Sequence, residues 1–123
     1  MTADILIPVP LAQKRAKERG YNQAGLLAKE ISKITGIPVV DNFLVRVKYT
    51  EAQKKMTPKE RQENLRGAFR IIPPYSKAKG KRILLVDDVF TTGSTVNECS
   101  RILKKGKPKS IEVLTLASVI VEP

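Results

Sequence analysis

Histidine and tryptophan are missing from the 123 residues, and cysteine occurs once, as Cys99. Without histidine there is no imidazole general base, no Ser–His pair and no imidazole-ligated zinc. A single thiol excludes an internal disulfide and a cysteine metal cage, and it points to the cytoplasm. Aromatic residues are scarce, three Phe and three Tyr, so there is little to stack on the bases of a single strand. No apolar run approaches the ~20 residues of a membrane helix, and no segment has the layout of a signal peptide, so no membrane association is expected. Neither G-x-x-x-x-G-K-[ST] nor G-x-G-x-x-G occurs, which removes a Walker nucleotide loop and leaves dinucleotide binding unsupported.

What is present is charge of one sign, unevenly spread. The net charge is +11. Residues 1–22 hold four basic and two acidic side chains, residues 23–82 fourteen and five, and residues 83–123 five and five. The excess lies upstream of residue 83, and a basic excess suits a polyanionic partner: nucleic acid, an anionic membrane or a heavily phosphorylated small ligand. A lysine-rich solvated surface would give the same numbers. The length fits one compact domain, 1–123.

Along the chain, hydrophobic periodicity and turn residues place the elements. Asp4–Val9 reads as a first strand with Pro8 at its end. Residues 13–23 form a basic connection. Ala24, Leu27, Ala28, Ile31 and Ile34 recur at helical spacing, in a helix stopped by Gly36 with Pro38 beyond. Ile37–Val40 and Phe43–Val47 flank an Asp41-Asn42 turn as candidate strands. Lys48–Arg66 is polar and charged, and Thr57, Pro58 and Glu60 make a capping box and a proline start for a short helix to about Leu65. Ala68–Ile72 is another candidate strand. After the segment 83–95, Val96, Cys99, Ile102 and Leu103 form the buried face of a helix ending at Gly106, and Ile111–Val121 is the last strand. Alternating strands and helices with short joints predict an α/β fold, a parallel sheet flanked by helices with right-handed crossovers.

Ile83–Thr95, ILLVDDVFTTGST, carries the most chemistry. Ile83, Leu84, Leu85 and Val86 form a run suited to a strand buried on both faces. Asp87 and Asp88 close it, and Thr91, Thr92, Gly93, Ser94 and Thr95 form a small-residue turn ahead of a helix. Amides at such a turn and helix N-terminus hold phosphate, and carboxylates accept paired hydrogen bonds from a diol. A plain strand end does not account for the five-residue Thr/Gly/Ser turn. A phosphoacceptor receiver domain needs a further aspartate, but the only acids after Asp88 are Glu98, Glu112 and Glu122. A sugar-phosphate site is the reading that remains.

These thirteen positions resemble the phosphoribosyl pyrophosphate (PRPP) signature of type I phosphoribosyltransferases. Ile7-Pro8-Val9-Pro10, Arg19-Gly20-Tyr21-Asn22-Gln23-Ala24, and Gln53 with Arg61, Asn64, Gly67, Ala68 and Phe69 are similar to one branch, the competence protein F (ComF) family. The resemblance implies a Rossmann-like core with a twisted parallel sheet. It implies Asp87 and Asp88 at the ribose hydroxyls, one of them assisting proton transfer and both acting on Mg²⁺ indirectly, through those hydroxyls or water. Residues 91–95 would bind the 5′-phosphate, and Lys14, Arg15, Arg19 and Gly20 the pyrophosphate. A mobile loop at about 47–67, with Arg46, Lys48, Gln53 and Arg61, would close over the reaction centre. The implied reaction displaces pyrophosphate from PRPP by a nitrogen nucleophile such as a nucleobase. The implied setting is competence and DNA uptake, with DNA or competence-machinery proteins as partners and a homodimer as an option. The zinc-binding and hood segments expected before the first strand in this family are not in the sequence, so the resemblance is to the core domain. The alternatives are a non-catalytic PRPP sensor and a nucleic-acid-binding module using residues 23–82.

Overall fold

The computed structural model describes residues 3–10, 23–47, 57–90 and 94–118. The elements are β1 (Ile5–Pro8), α1 (Gln23–Thr35), β2 (Leu44–Arg46), α2 (Pro58–Leu65), β3 (Phe69–Ile71), β4 (Arg82–Phe90), α3 (Ser94–Leu103) and β5 (Ser110–Ser118). Short 3₁₀ turns occupy Tyr75–Lys77 and Lys104–Gly106.

β4 is the middle strand of a parallel sheet in the order β1-β4-β5. Ile5 pairs with Ile83 and Pro8 with Val86 on one side, and Arg82 pairs with Ser110 and Asp87 with Thr115 on the other. Residues 38–40 dock on the outer edge of β1. Leu6 N–H donates to Pro38 O and Val40 N–H to Leu6 O, both at 2.9 Å. β1 therefore ends at its proline, as expected, and the 37–40 segment contributes a single parallel bridge at Val39.

The unbroken apolar run of β4 is explained by cover on both faces. Ile83 and Leu85 join a cluster with Val96, Cys99, Ile102 and Leu103 of α3. Leu84 and Val86 join Leu6 and Ala28, with Leu27, Ile31 and Leu114 packed around them. Leu85 and Val86 are fully buried, and each such side chain contributes about 1.5–3 kcal/mol of transfer free energy.

α1 covers its face through Ala24 and Ala28. It stops where the sequence indicates, at Gly36, whose φ of +77° suits glycine. Gly36 N–H donates to Ser32 O at 2.8 Å, and the Thr35 hydroxyl to Ile31 O at 2.8 Å. Ile34, expected on the apolar stripe, is instead 84% exposed. At about 100° per residue it lies roughly 80° round from Ala24, at the stripe's margin in the last turn.

The β1-β4-β5 sheet is parallel throughout, as expected, and the antiparallel pairing lies outside it. β2 and β3 pair antiparallel as a separate ribbon, Leu44 opposite Ile71 and Arg46 opposite Phe69. Phe43, Phe69 and Ile71 pack into the α3-side cluster. Residues 47–68 connect the two strands in sequence. Their far half is α2, where the expected cap forms: Glu60 N–H donates to the Thr57 hydroxyl, which donates to Glu60 Oε1, each at 3.1 Å.

Candidate active site at the carboxyl end of the central strand

Three features converge where β1 and β4 end. Val9 N–H donates to Val86 O at 2.8 Å, so the chain leaves β1 beside the residue preceding Asp87. β4 carries Asp87 and Asp88, and α3 begins at Ser94, four residues after β4 ends. The acids lie within β4, which runs on to Phe90, rather than closing it as the apolar run suggests.

Asp87 is the buried member of the pair, 8% exposed, and Asp88 is half-buried. Period-2 alternation puts Asp87 on the side of Ile83 and Leu85, and its charge is felt by Cys99 on that side. Burial pushes the Asp87 carboxyl up to about 6, reinforced by hydrogen bonding between the two carboxyl groups and by the Asp88 charge. The Asp88 N–H, 2.9 Å from Asp87 Oδ1, opposes this. A carboxylate that is costly to ionise has capacity to accept hydrogen-bond donors, a cation or a proton.

Arg46 does not sit in the loop expected to hold it. It ends β2, with its guanidinium 5.3 Å from the Phe69 ring centroid. Its charge and that of Asp87 both act on the Cys99 thiol, lowering and raising its pKa respectively. Cys99 itself is fully buried, the core role its helical position indicates, and desolvation first of all pushes its thiol far up.

Of the remaining sequence candidates, Ser94 opens α3 and Thr95 is half-buried in its first turn; Arg61 lies on α2. Thr91, Thr92, Gly93, Lys14, Arg15, Arg19, Gly20, Lys48 and Gln53 lie outside the described residues. Sequence reasoning missed a charged cleft of ≈310 Å³ between α2 and α3, lined by Lys59, Glu63, Arg66, Glu98 and Arg101. In it the buried Glu98 carboxylate accepts a forked pair from the Arg101 guanidinium, whose Nε donates to Oε1 at 2.8 Å. The i, i+3 spacing of Glu98 and Arg101 was the available signal.

Two carboxylates suit a hard cation that keeps most of its shell as water and ligand phosphate oxygens. Among the described residues no group of three or more acidic or thiol ligands could cage a metal.

A parallel α/β sheet with paired acids at the carboxyl end of its central strand, ahead of a helix N-terminus, is the architecture of type I phosphoribosyltransferases. Glutamine PRPP amidotransferase from B. subtilis, solved with ADP and GMP, superposes over 100% of this chain and 24% of its own, with a TM-score of 0.64 and 21% identity. That likeness concerns the fold. The chain belongs to the phosphoribosyl transferase domain family, whose model matches residues 17–121. Within it the curated relatives include competence protein F of Haemophilus influenzae, 43% identical over 114 residues, which are 93% of this chain and 50% of the relative. Competence protein ComFC of Bacillus subtilis is 34% identical over 113 residues, 91% and 43% respectively. The chain thus spans about half the length of these relatives.

Proposed function

We propose that the chain binds PRPP at the carboxyl edge of β1 and β4 and transfers its phosphoribosyl group to a nitrogenous acceptor, releasing pyrophosphate. The observation that carries this reading is the convergence of the Asp87-Asp88 pair, the chain leaving β1 and the start of α3 at one sheet edge, which is where open α/β sheets bind ligands. Amides at the start of α3 hold the 5′-phosphate. The acidic pair accepts the ribose 2′- and 3′-hydroxyls and so orients the sugar.

In the reaction the acceptor's nitrogen lone pair forms a bond to C1 as the C1–oxygen bond to pyrophosphate breaks, through a cationic, oxocarbenium-like sugar. The electron pair leaves with pyrophosphate. Carboxylates beside the ribose stabilise the positive charge that develops on it. The proton lost from the acceptor nitrogen passes to a carboxylate of the pair, and a carboxyl near 6 is matched to that task at neutral pH. Mg²⁺, when bound, neutralises charge on the departing pyrophosphate. Residues 14–20 and the 47–67 segment are proposed to meet the pyrophosphate, in keeping with the basic excess upstream of residue 83. Given relatives named for competence, we place the activity in the cytoplasmic handling of incoming DNA or its nucleobases.

Calorimetric titration of PRPP with and without Mg²⁺ tests the ligand. Binding that requires Mg²⁺ and falls at least tenfold in Asp87→Asn and Asp88→Asn is expected; equal binding by all three proteins would sink the site. Pyrophosphate release with a panel of nucleobases then separates transfer from a sensor that binds without turnover.

A further inference from the structure

Among the described residues a concentration of positive charge lies at the opposite pole of the sheet from Asp87. Two segments far apart in sequence, residues 75–82 and 104–110, meet at the amino ends of β4 and β5. Gly80 N–H donates to Lys107 O at 2.9 Å, and Lys109 N–H to Lys81 O at 2.8 Å. Gly106 is buried against Ala78; a Cβ there would lie 2.9 Å from the Ala78 Cβ. Lys107 holds a left-handed backbone, φ 56°, in the turn that returns the chain to β5. The result is a fixed platform for Lys77, Lys79, Lys81, Lys104, Lys105, Lys107 and Lys109, all exposed.

The surroundings do not neutralise this platform. The ion pairs Lys33–Glu30, Arg82–Asp4 and Arg101–Glu98 use none of these seven lysines. Asp4, whose carboxylate also feels the Lys81 charge, is engaged first of all by Arg82, which donates to both its oxygens at 2.9 and 3.1 Å. Glu112, exposed on β5, is the other acid near the platform. An ordinary solvated surface intersperses both signs; here seven like charges are held together by backbone hydrogen bonds.

We propose that this lysine platform is a docking surface for the phosphodiester backbone of a nucleic acid, separate from the PRPP site. Arg82 and Asp87 are five steps apart along β4, which at ~3.3 Å each is roughly 17 Å, so one molecule can engage both ligands. Nucleic acid fits better than a membrane because Lys104–Lys109 carries no large apolar side chain to insert among acyl chains. Tyr75, 48% exposed at the platform's margin, supplies an aromatic face. Contacts of this kind position a strand without reading its sequence.

The test is fluorescence anisotropy with labelled single-stranded and duplex oligonucleotides between 50 and 200 mM salt. Seven contacts to a single strand predict about a thousandfold loss of affinity across that range. Lys79→Gln, Lys105→Gln, Lys107→Gln and Lys109→Gln together should flatten the loss to about 20-fold and weaken low-salt binding at least tenfold, with PRPP binding and the circular-dichroism melt as controls on the fold. A variant of equal charge, Lys29→Gln, Lys33→Gln, Lys59→Gln and Arg70→Gln, should keep most of the affinity. Equal losses in both variants, no oligonucleotide binding, or binding to anionic vesicles alone would each overturn the proposal; a stronger response of single strand or of duplex identifies which form docks. Because PRPP is titrated separately, failure here leaves the active-site reading intact.

Discussion

Replacing Asp87 with Asn tests the electrostatics of the acidic pair without filling or emptying space. The amide is nearly isosteric, and its oxygen still accepts the Asp88 N–H that approaches at 2.9 Å in the native protein. What disappears is the ionisation. In the folded chain the carboxyl rises from its ordinary 3.8 to about 6, because burial and the neighbouring acid disfavour its charged form. The stabilisation from this group is therefore fully present below about 3.8, where it is protonated in both states. It is lost as the pH climbs through about 6, where the folded protein must ionise a buried acid that the unfolded chain ionises freely. The rise is worth on the order of 2–3 kcal/mol. Urea unfolding of the ligand-free protein at pH 5 and pH 8 is the assay. Asp87→Asn should already exceed the native chain by about 1.5 kcal/mol at pH 5 and by about 3 kcal/mol at pH 8, a melting difference of roughly 10 °C at the higher pH for a domain of this size. Parallel stability curves across that range would refute the reasoning, since the carboxyl would then titrate alike in both states. The same substitution is expected to weaken PRPP binding, so the site holds its charge at a cost to the empty fold.

Two further outcomes follow from packing. Cys99 is fully buried and its thiol is pushed far up by desolvation; Ellman's reagent at pH 8 should leave it unmodified in native protein and label one thiol per chain in urea. Gly106→Ala would bring a methyl to 2.9 Å from the Ala78 Cβ in a turn held by backbone hydrogen bonds. It should cost about 1–3 kcal/mol in chemical denaturation and weaken oligonucleotide binding, while PRPP affinity stays the same.

Much of the fold is readable in the sequence because local signals agree with it. Val86 ends a run that only a doubly covered strand would bury, Gly36 stops α1 because its φ is positive, and Thr57 caps α2 through its own hydroxyl. The acids of the site are readable for the same reason: no nearby pattern competes with them. What the sequence hides depends on partners distant along the chain. The antiparallel ribbon of β2 and β3 joins segments more than 20 residues apart, and nothing in either strand specifies the direction of pairing. That ribbon removes Arg46 from the connecting segment and seats it over Phe69. Ile34 fits a helical stripe by spacing, yet the stripe's margin falls beyond the packed face. The lysine platform was obscured by division of the chain at residue 82: its two halves lie on either side of that boundary, and only the 107–80 and 109–81 hydrogen bonds unite them.

The Asp4–Arg82 pair fastens the sheet at the end where β1 and β4 begin, with Arg82 N–H adding a third bond to the same carboxylate at 2.8 Å. Burial does the rest of the fastening along the strands, and it fades where Asp87 and Asp88 take over from the apolar run. The sheet is thus clamped at one end and left working at the other. Ligand-driven adjustment at the acidic edge can occur without loosening the clamp, and attachment chemistry at the clamped end would load the anchored half of the molecule rather than its reactive edge.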